Sequence, residues 1–262
     1  MTILLVDEGN TRIKYAELDT NSGFIKLLDS HLLSKANLNT QNYLAIYASS
    51  VKSGAELQKM LATQFSCPIY IIETPDSKYG LTIAYADKTR LGVDRWLAML
   101  GAFCNTVDLA GKATGEVAQN TKYCAQLVAD FGTAVTIDAI EQDGTHIGGW
   151  IIPGLNTAKS GLLGKTASIK IKTDVCHKAE FGDMTESCVN NGIYVSILST
   201  IFYACKLLLK KAETIDIYLT GGDCELFYAE LVTQLNEQNI NIYQVDDLVF
   251  KGLAQYAELN AQ

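Results

Sequence analysis

The sequence predicts an α/β protein built from two similar halves, and three observations carry that reading. Apolar runs of strand length alternate with segments whose apolar residues recur at helical spacing. A short element, Leu4-Leu5-Val6-Asp7-Glu8-Gly9-Asn10-Thr11, returns 123 residues later as Leu127-Val128-Ala129-Asp130-Phe131-Gly132-Thr133-Ala134. Each copy leads into a second strand-like run, Ile13 to Leu18 and Val135 to Ile140, so each reads as two strands around a tight Gly turn. The expected division is residues 1–122 and 123–262.

Composition narrows the class. Of 262 residues, 48% are hydrophobic, 19% are charged and three are proline, which excludes a largely disordered or collagen-like chain. Lys and Arg total 21 against 29 Asp and Glu, a formal net charge of -8, which argues against a nucleic-acid or anionic-membrane surface. The start, MTILLVDEGN, has no basic region and meets Asp7 before an apolar run of signal-peptide length, and no membrane span is expected. The seven cysteines form no C-x-x-C pair and sit among apolar neighbours, so they read as buried free thiols in a reducing cytoplasm.

The elements follow in order. After the first copy come strands at Tyr43–Ala48 and Ile69–Glu73 around a helix at Gly54–Phe65, then Val93, Trp96, Leu97, Leu100 and Cys104 at helical spacing. Asp108–Thr121, rich in Gly, Thr and Asn, reads as a surface insertion. After the second copy, Gly144 turns the chain into a strand at His146–Ile152, and Pro153-Gly154 ends it before a helix through Leu163. Asp183 to Lys211 carries the longest helical pattern, with Lys206, Lys210 and Lys211 at the end where cations suit the helix dipole. Strands at Ile215–Leu219 and Ile242–Val245 then alternate with helices at Glu225–Asn236 and Leu248–Leu259.

A strand ending in Asp-x-Gly-Asn-Thr places a carboxylate at a strand tip, and Gly9 allows the sharp turn and close approach of backbone N–H groups to a ligand. Thr11 and Lys14 offer a hydroxyl and an ammonium to phosphate oxygens, and Asp7 suits Mg²⁺, directly or through water. One such turn is equally an ordinary hairpin; two at corresponding places favour a pair gripping one nucleotide from both sides of a cleft. In Gly92-Val93-Asp94-Arg95-Trp96, Asp94 reads as a helix N-cap, as a general base, or as both, with Arg95 beside it for an anionic substrate group. Asp130 ends its strand and suits metal or phosphate, whereas Asp138 reads as locally paired or solvent-facing. Gly148-Gly149 and Pro153-Gly154 bracket a strand, and Gly221-Gly222 resembles a platform for a nucleotide base. His31, His146 and His177 are scattered without zinc spacing, and no G-x-S-x-G, Walker A or G-x-G-x-x-G sequence occurs. The residues alone point to a phosphotransferase without a P-loop.

Taken in order, Asp7-Glu8-Gly9-Asn10-Thr11, Gly92-Val93-Asp94-Arg95, Asp130-Phe131-Gly132-Thr133-Ala134, Gly149-Trp150-Ile151-Ile152-Pro153-Gly154 and Thr220-Gly221-Gly222 resemble the type III pantothenate kinases of bacteria, in the acetate and sugar kinase, Hsp70 and actin superfamily. The resemblance implies a duplicated ribonuclease H-like, actin-like ATPase fold, with two similar halves around a nucleotide cleft. It implies a homodimer with active sites near the subunit interface, and dependence on Mg²⁺ and a monovalent cation, K⁺ or NH₄⁺. By match, Asp7, Glu8, Gly9, Asn10, Thr11, Arg12, Ile13 and Lys14 would bind ATP phosphates, Thr133 would contact ATP, Asp94 would accept the proton and Asp130 would ligate the monovalent cation. Tyr85, Gly92, Val93, Asp94, Arg95 and Thr185 would form the pantothenate site. Glu8 adds a second acid to the phosphate turn, where it would repel a nucleotide unless it points away, and Asp87 stands where the family commonly has proline.

The expected activity is therefore ATP-dependent phosphorylation of pantothenate to 4′-phosphopantothenate, the first step toward coenzyme A. The rivals are a sugar or acetate kinase of the same architecture and a non-catalytic nucleotide-binding regulator. A pure binder has no need of a base at Asp94.

Overall fold

The structure, a computed structural model, describes residues 1–28, 42–109, 124–164, 177–235 and 239–260. They form two compact units, residues 1–121 with 247–262, and residues 122–246.

In the first unit, β1 (Thr2–Glu8), β2 (Ile13–Asp19), β3 (Ile25–Leu28), β4 (Ile46–Ser50) and β5 (Ile69–Ile71) form one sheet in the order β3-β2-β1-β4-β5. β1 pairs antiparallel with β2 and parallel with β4. Leu4, Val6, Ile46 and Ala48 pack with Leu57 and Leu61 of α1 (Gly54–Ala62) on one face. The alternate residues Ile3 and Leu5 of β1 and Ala16 and Leu18 of β2 are buried too, as a strand covered on both faces requires. The helices α2 (Val93–Leu109) and α6 (Leu248–Asn260) pack against one another and against β4 and β1.

The second unit repeats the scheme. β8 (Ala125–Phe131), β9 (Ala134–Ile140), β10 (His146–Pro153), β11 (Ile215–Thr220) and β12 (Ile240–Gln244) form a sheet in the order β10-β9-β8-β11-β12, the same sequence of antiparallel and parallel neighbours. Its core joins Leu127, Ala129, Phe131, Val135 and Ile137 to α3 (Leu155–Leu163), α4 (Thr185–Leu208) and α5 (Cys224–Gln234). The duplication read from the two Asp-x-Gly elements is thus a duplication of topology.

Several expectations need correction. Residues 247–262 pack with the first unit although they follow the second in sequence, because the apolar face of α6, including Leu248, Leu253 and Ala257, is buried in the first unit. Glycines make the α2–α6 crossing tight: a Cβ on Gly101 would lie 2.4 Å from the Leu248 carbonyl oxygen. Asp108 lies within α2, and residues 110–121 of the expected insertion fall outside the described residues, as do His31 and Cys176. Of the six described cysteines, all free, only Cys205 and Cys224 are buried, while Cys188 is exposed. α4 is long and apolar enough, by length and composition, to cross a membrane, although polar residues such as Ser196, Ser199 and Thr200 interrupt its apolar run. Ile197, Leu198, Ile201 and Leu208 spend that apolarity on the second unit's core. Of the two readings of Asp138, local pairing holds and solvent exposure does not: it is buried, with its Oδ1 3.0 Å from His146 Nε2.

Two elements were not anticipated, the short β3 and the hairpin β6 (Ser77–Lys78) and β7 (Leu81–Thr82). The hairpin turns through Tyr79 and Gly80, both at positive φ.

Candidate active site

The first Asp-x-Gly element places its groups by strand alternation. Ile3, Leu5 and Asp7 lie on the face of β1 opposite α1, and α6 packs against β1, so the row of buried side chains ends in a carboxylate. Asp7 is opposite Lys14 in the antiparallel register and opposite Ser49 in the parallel one, and the Ser49 hydroxyl donates to Asp7 Oδ1 at 2.9 Å. Glu8, one residue on, belongs to the other face, where Ser50 Oγ donates to its Oε2 at 2.6 Å. That resolves the second acid of the turn: it is held at the end of β4, on the face away from Asp7 and Lys14. Gly9 N–H donates to the Arg12 carbonyl at 3.1 Å and closes the turn, leaving Asn10, Thr11 and Arg12 exposed and Ile13 at the start of β2.

Burial pushes the Asp7 carboxyl from its ordinary 3.8 up to about 6. The Ser49 hydrogen bond and the Lys14 charge oppose that rise, while the charges of Asp94 and Asp247 add to it. Asp7, Lys14, Asp94 and Asp247 therefore share one electrostatic neighbourhood, drawn from β1, β2 and the starts of α2 and α6. Lys14 Nζ lies 2.8 Å from Asp247 Oδ1.

Asp94 is in the first turn of α2, one residue inside the helix rather than at its cap. Its Oδ1 accepts from the Arg95 N–H at 2.8 Å. A Cβ on Gly92 would lie 2.5 Å from that oxygen, so the glycine makes room for the carboxylate to fold back over the helix start. Arg95 is buried and its Nη1 donates to the Tyr85 hydroxyl at 3.1 Å. Gly92, Val93, Asp94, Arg95 and Tyr85 are thus one cluster. Asp87, in place of the family's proline, accepts from the N–H and hydroxyl of Thr89 at 3.1 and 2.6 Å and starts a 3₁₀ turn at Lys88–Arg90.

In the second unit Asp130 is half-buried at the end of β8, opposite Thr220 of β11 and Thr136 of β9. These positions match those of Ser49 and Lys14 beside Asp7, with threonine in place of both the serine and the lysine. Gly132 N–H donates to the Ala134 carbonyl at 3.1 Å, so this turn is one residue tighter than the first, and Thr133 is exposed. Two glycines hem it in. A Cβ on Gly154 would lie 2.0 Å from the Gly132 carbonyl oxygen, and one on Gly221, whose φ is +98, would lie 2.4 Å from Asp130 Oδ1. The Thr133 carbonyl accepts from Gly154 N–H at 3.0 Å and from Thr157 Oγ1 at 2.6 Å. Thr185 opens α4 and is exposed, after a turn in which Ser187 Oγ accepts from the N–H groups of Asp183 and Met184, each at 3.1 Å.

Sequence reading missed Ser49 and Asp247. Nothing local marks Ser49, which the β1–β4 register selects. The pair Asp246-Asp247 before an apolar helical run was a visible start signal for a helix, but its long-range partner was not visible.

Among the described residues, no group of three or more His, Cys, Asp or Glu could hold a metal ion. A single buried carboxylate with a neighbouring hydroxyl fits Mg²⁺, which keeps several waters and joins one or two carboxylates to substrate phosphates.

The fold is shared with solved structures of low sequence identity. A protein assigned to the Baf family of transcriptional activators from Campylobacter jejuni aligns over 98% of both chains with a TM-score of 0.56 at 20% identity. One assigned as a 2-dehydro-3-deoxygalactonokinase from Sinorhizobium meliloti covers 99% of this chain and 98% of its own with a TM-score of 0.52 at 13% identity. They support the duplicated ribonuclease H-like fold. Sequence relatives are nearer: the type III pantothenate kinase of Colwellia psychrerythraea is 30% identical over 97% of this chain and 100% of its own, and that of Pseudomonas paraeruginosa is 31% identical over 96% and 97%. The family model described as type III pantothenate kinase matches residues 3–206, a span holding both Asp-x-Gly turns and the Asp94 cluster. With motifs, topology and near full-length relatives in agreement, the chain belongs to the type III pantothenate kinase family.

Proposed function

We propose that this chain, an ATP-dependent pantothenate kinase by family, works through the cluster in its first unit: Asp94 accepts the proton of the attacking pantothenate hydroxyl and Lys14 meets the phosphate oxygens of ATP. The supporting observation is the register that sets Lys14 opposite Asp7 on neighbouring strands, with the Asp94 charge also acting on the Asp7 carboxyl.

Each group has a task. Backbone N–H groups of the turn Gly9, Asn10, Thr11 and Arg12 and the Thr11 hydroxyl bind phosphate, with Glu8 and Ile13 shaping the turn's two ends. Asp7 would hold Mg²⁺, which when bound offsets the negative charge of the phosphates. The Asp94 carboxylate, fixed by the Arg95 amide and the space over Gly92, keeps one oxygen aimed by that bond while the other takes the hydroxyl proton. Arg95, oriented by Tyr85, pairs with the substrate carboxylate, and Gly92 and Val93 present backbone beside it. In the second unit Thr133 contacts ATP, Asp130 ligates K⁺ or NH₄⁺, and Thr185 binds pantothenate.

The test is a coupled ADP-release assay with pantothenate, with and without K⁺, comparing the wild type with Asp94→Asn. The wild type turns over only with pantothenate and ATP present and is stimulated by K⁺; the variant loses turnover. Release that is independent of pantothenate in the folded wild type overturns the acceptor, and a fully active Asp94→Asn overturns the base.

We also propose a cytoplasmic homodimer. Free cysteines suit a reducing compartment. Trp150 of the edge strand β10 and Tyr203 of α4 stack at 6.0 Å, both exposed, an apolar surface suited to a second copy. Sedimentation of Tyr203→Glu against wild type tests this: a shift to monomer is expected, and an unchanged mass excludes that face.

A further inference from the structure

Asp247 has no role in the scheme above, yet its geometry is unusual. Among the described residues only Tyr79 and Asp247 combine a side chain with positive φ, and Asp247, at φ 50, lies immediately before α6. An aspartate there ordinarily turns its carboxylate onto the first amides of its own helix. The backbone carbonyl of Asp247 accepts the first bonds of α6, from the N–H groups of Phe250 at 2.9 Å and Lys251 at 3.3 Å, as a helix start requires. The carboxylate instead crosses to β2 and takes Lys14 Nζ at 2.8 Å, a partner 233 residues distant in sequence.

We propose that Asp247 is a positioning residue for phosphoryl transfer, holding the Lys14 ammonium at the mouth of the first Asp-x-Gly turn; this rests on the reading that Lys14 meets the ATP phosphates. Two physical arguments support it. A lysine at a strand end keeps a long, freely rotating stem, and an ion pair to a fixed carboxylate restricts it before the nucleotide arrives. Asp7 faces Lys14 across the strand pair, so an unrestrained ammonium would fold onto Asp7 and neutralise the carboxylate. Asp247 draws it off. The left-handed backbone aims the aspartate, and the α2–α6 crossing ties its helix to the one whose first turn holds Asp94: a Cβ on Gly252 would lie 2.1 Å from the Leu97 carbonyl oxygen. The cation and the base are therefore indexed to one another through two helices rather than through a loop.

Steady-state ADP release, with ATP and pantothenate varied separately, tests the assignment in Asp247→Asn, Asp247→Gly, Lys14→Ala and the double variant Lys14→Ala with Asp247→Asn. Asparagine and glycine both tolerate positive φ, so these variants remove the charge and keep the turn. Thermal unfolding confirms that each is folded. In the Lys14 background, each Asp247 variant lowers kcat/KM for ATP by about tenfold while KM for pantothenate stays within about twofold. With Lys14 removed, Asp247→Asn costs nothing further. An equal loss with and without Lys14, a loss confined to pantothenate, or unchanged kcat/KM for ATP in both Asp247 variants overturns the proposal. If Lys14→Ala alone keeps the wild-type kcat/KM for ATP, the reading of Lys14 as a phosphate contact fails instead, and Asp247 loses its role with it.

Discussion

Ser49 Oγ stands 2.9 Å from Asp7 Oδ1, and this neutral donor is the group that most opposes the burial of the Asp7 carboxylate. It does not fully offset burial, because the carboxyl is raised from 3.8 to about 6. The sign for stability follows. The folded chain binds this proton more tightly than the unfolded chain, so the contribution of Asp7 is most favourable below pH 4 and is lost as pH rises from about 4 to 6. In metal-free, nucleotide-free protein, Asp7→Asn should therefore be more stable than wild type at pH 7, by at most about 3 kcal/mol, and nearly equal to it at pH 4. Urea unfolding of both proteins across that range measures the difference. A gap that does not change with pH would show that Asp7 titrates normally.

Ser49→Ala removes the opposing donor, so the same gap between wild-type-like and Asn-bearing chains should widen and its midpoint move to higher pH. The paired measurement, Ser49→Ala against Ser49→Ala with Asp7→Asn, isolates the hydroxyl from general packing effects at β4.

Gly252 marks a packing demand with no slack, since the clash in its case is with the backbone of α2 rather than with a movable side chain. Gly252→Ala should cost about 1–3 kcal/mol and lower kcat as well, because parting α2 from α6 shifts Asp94 relative to Lys14. Gly161, exposed in α3, meets nothing within 4 Å, so Gly161→Ala should instead gain about 0.5–1 kcal/mol from helix propensity alone. Differential scanning calorimetry on the two variants gives opposite signs if the crossing is as tight as the coordinates place it.

What was legible from sequence follows a physical line. Elements with strong periodicity were found nearly to their ends, as with Leu248–Leu259 against α6 at Leu248–Asn260, because burial on one face imprints the pattern. The two Asp-x-Gly turns were legible because the duplication repeated them, and the sheet orders repeat as well. Ser49, Asp247 and the return of α6 to the first unit were not, since each depends on register or on which face a helix finds, and single-chain periodicity is silent on partners. β3 and the β6–β7 hairpin were too short to carry a period.

Tyr85 gives a separate check on the substrate side. Tyr85→Phe removes the hydroxyl that accepts from Arg95 Nη1 while keeping the ring, over which the guanidinium lies at 5.9 Å. KM for pantothenate should rise about tenfold with kcat and KM for ATP little changed, as expected when an orienting bond to a charged group is lost. A change confined to KM for ATP would move Arg95 out of the acceptor site.

Gly221 and Gly222 look alike in sequence and differ in space. Gly221 has φ +98, and its added Cβ would meet Asp130 Oδ1 and the Phe131 carbonyl oxygen, each at 2.4 Å, so alanine there must displace the carboxylate or part β8 from β11. Gly221→Ala should cost about 2 kcal/mol or more and abolish stimulation by K⁺, if Asp130 ligates the cation. Around Gly222 nothing lies within 4 Å and its backbone is ordinary, so alanine should leave the unfolding free energy within about 0.5 kcal/mol. No packing contact requires its lack of a side chain, so alanine there tests the base platform read from the sequence without disturbing the fold. Gly222→Ala should raise KM for ATP without altering thermal stability or the response to K⁺. A wild-type KM for ATP in a folded Gly222→Ala would remove the base platform from this strand end and leave Gly221 as a purely steric requirement of the Asp130 turn.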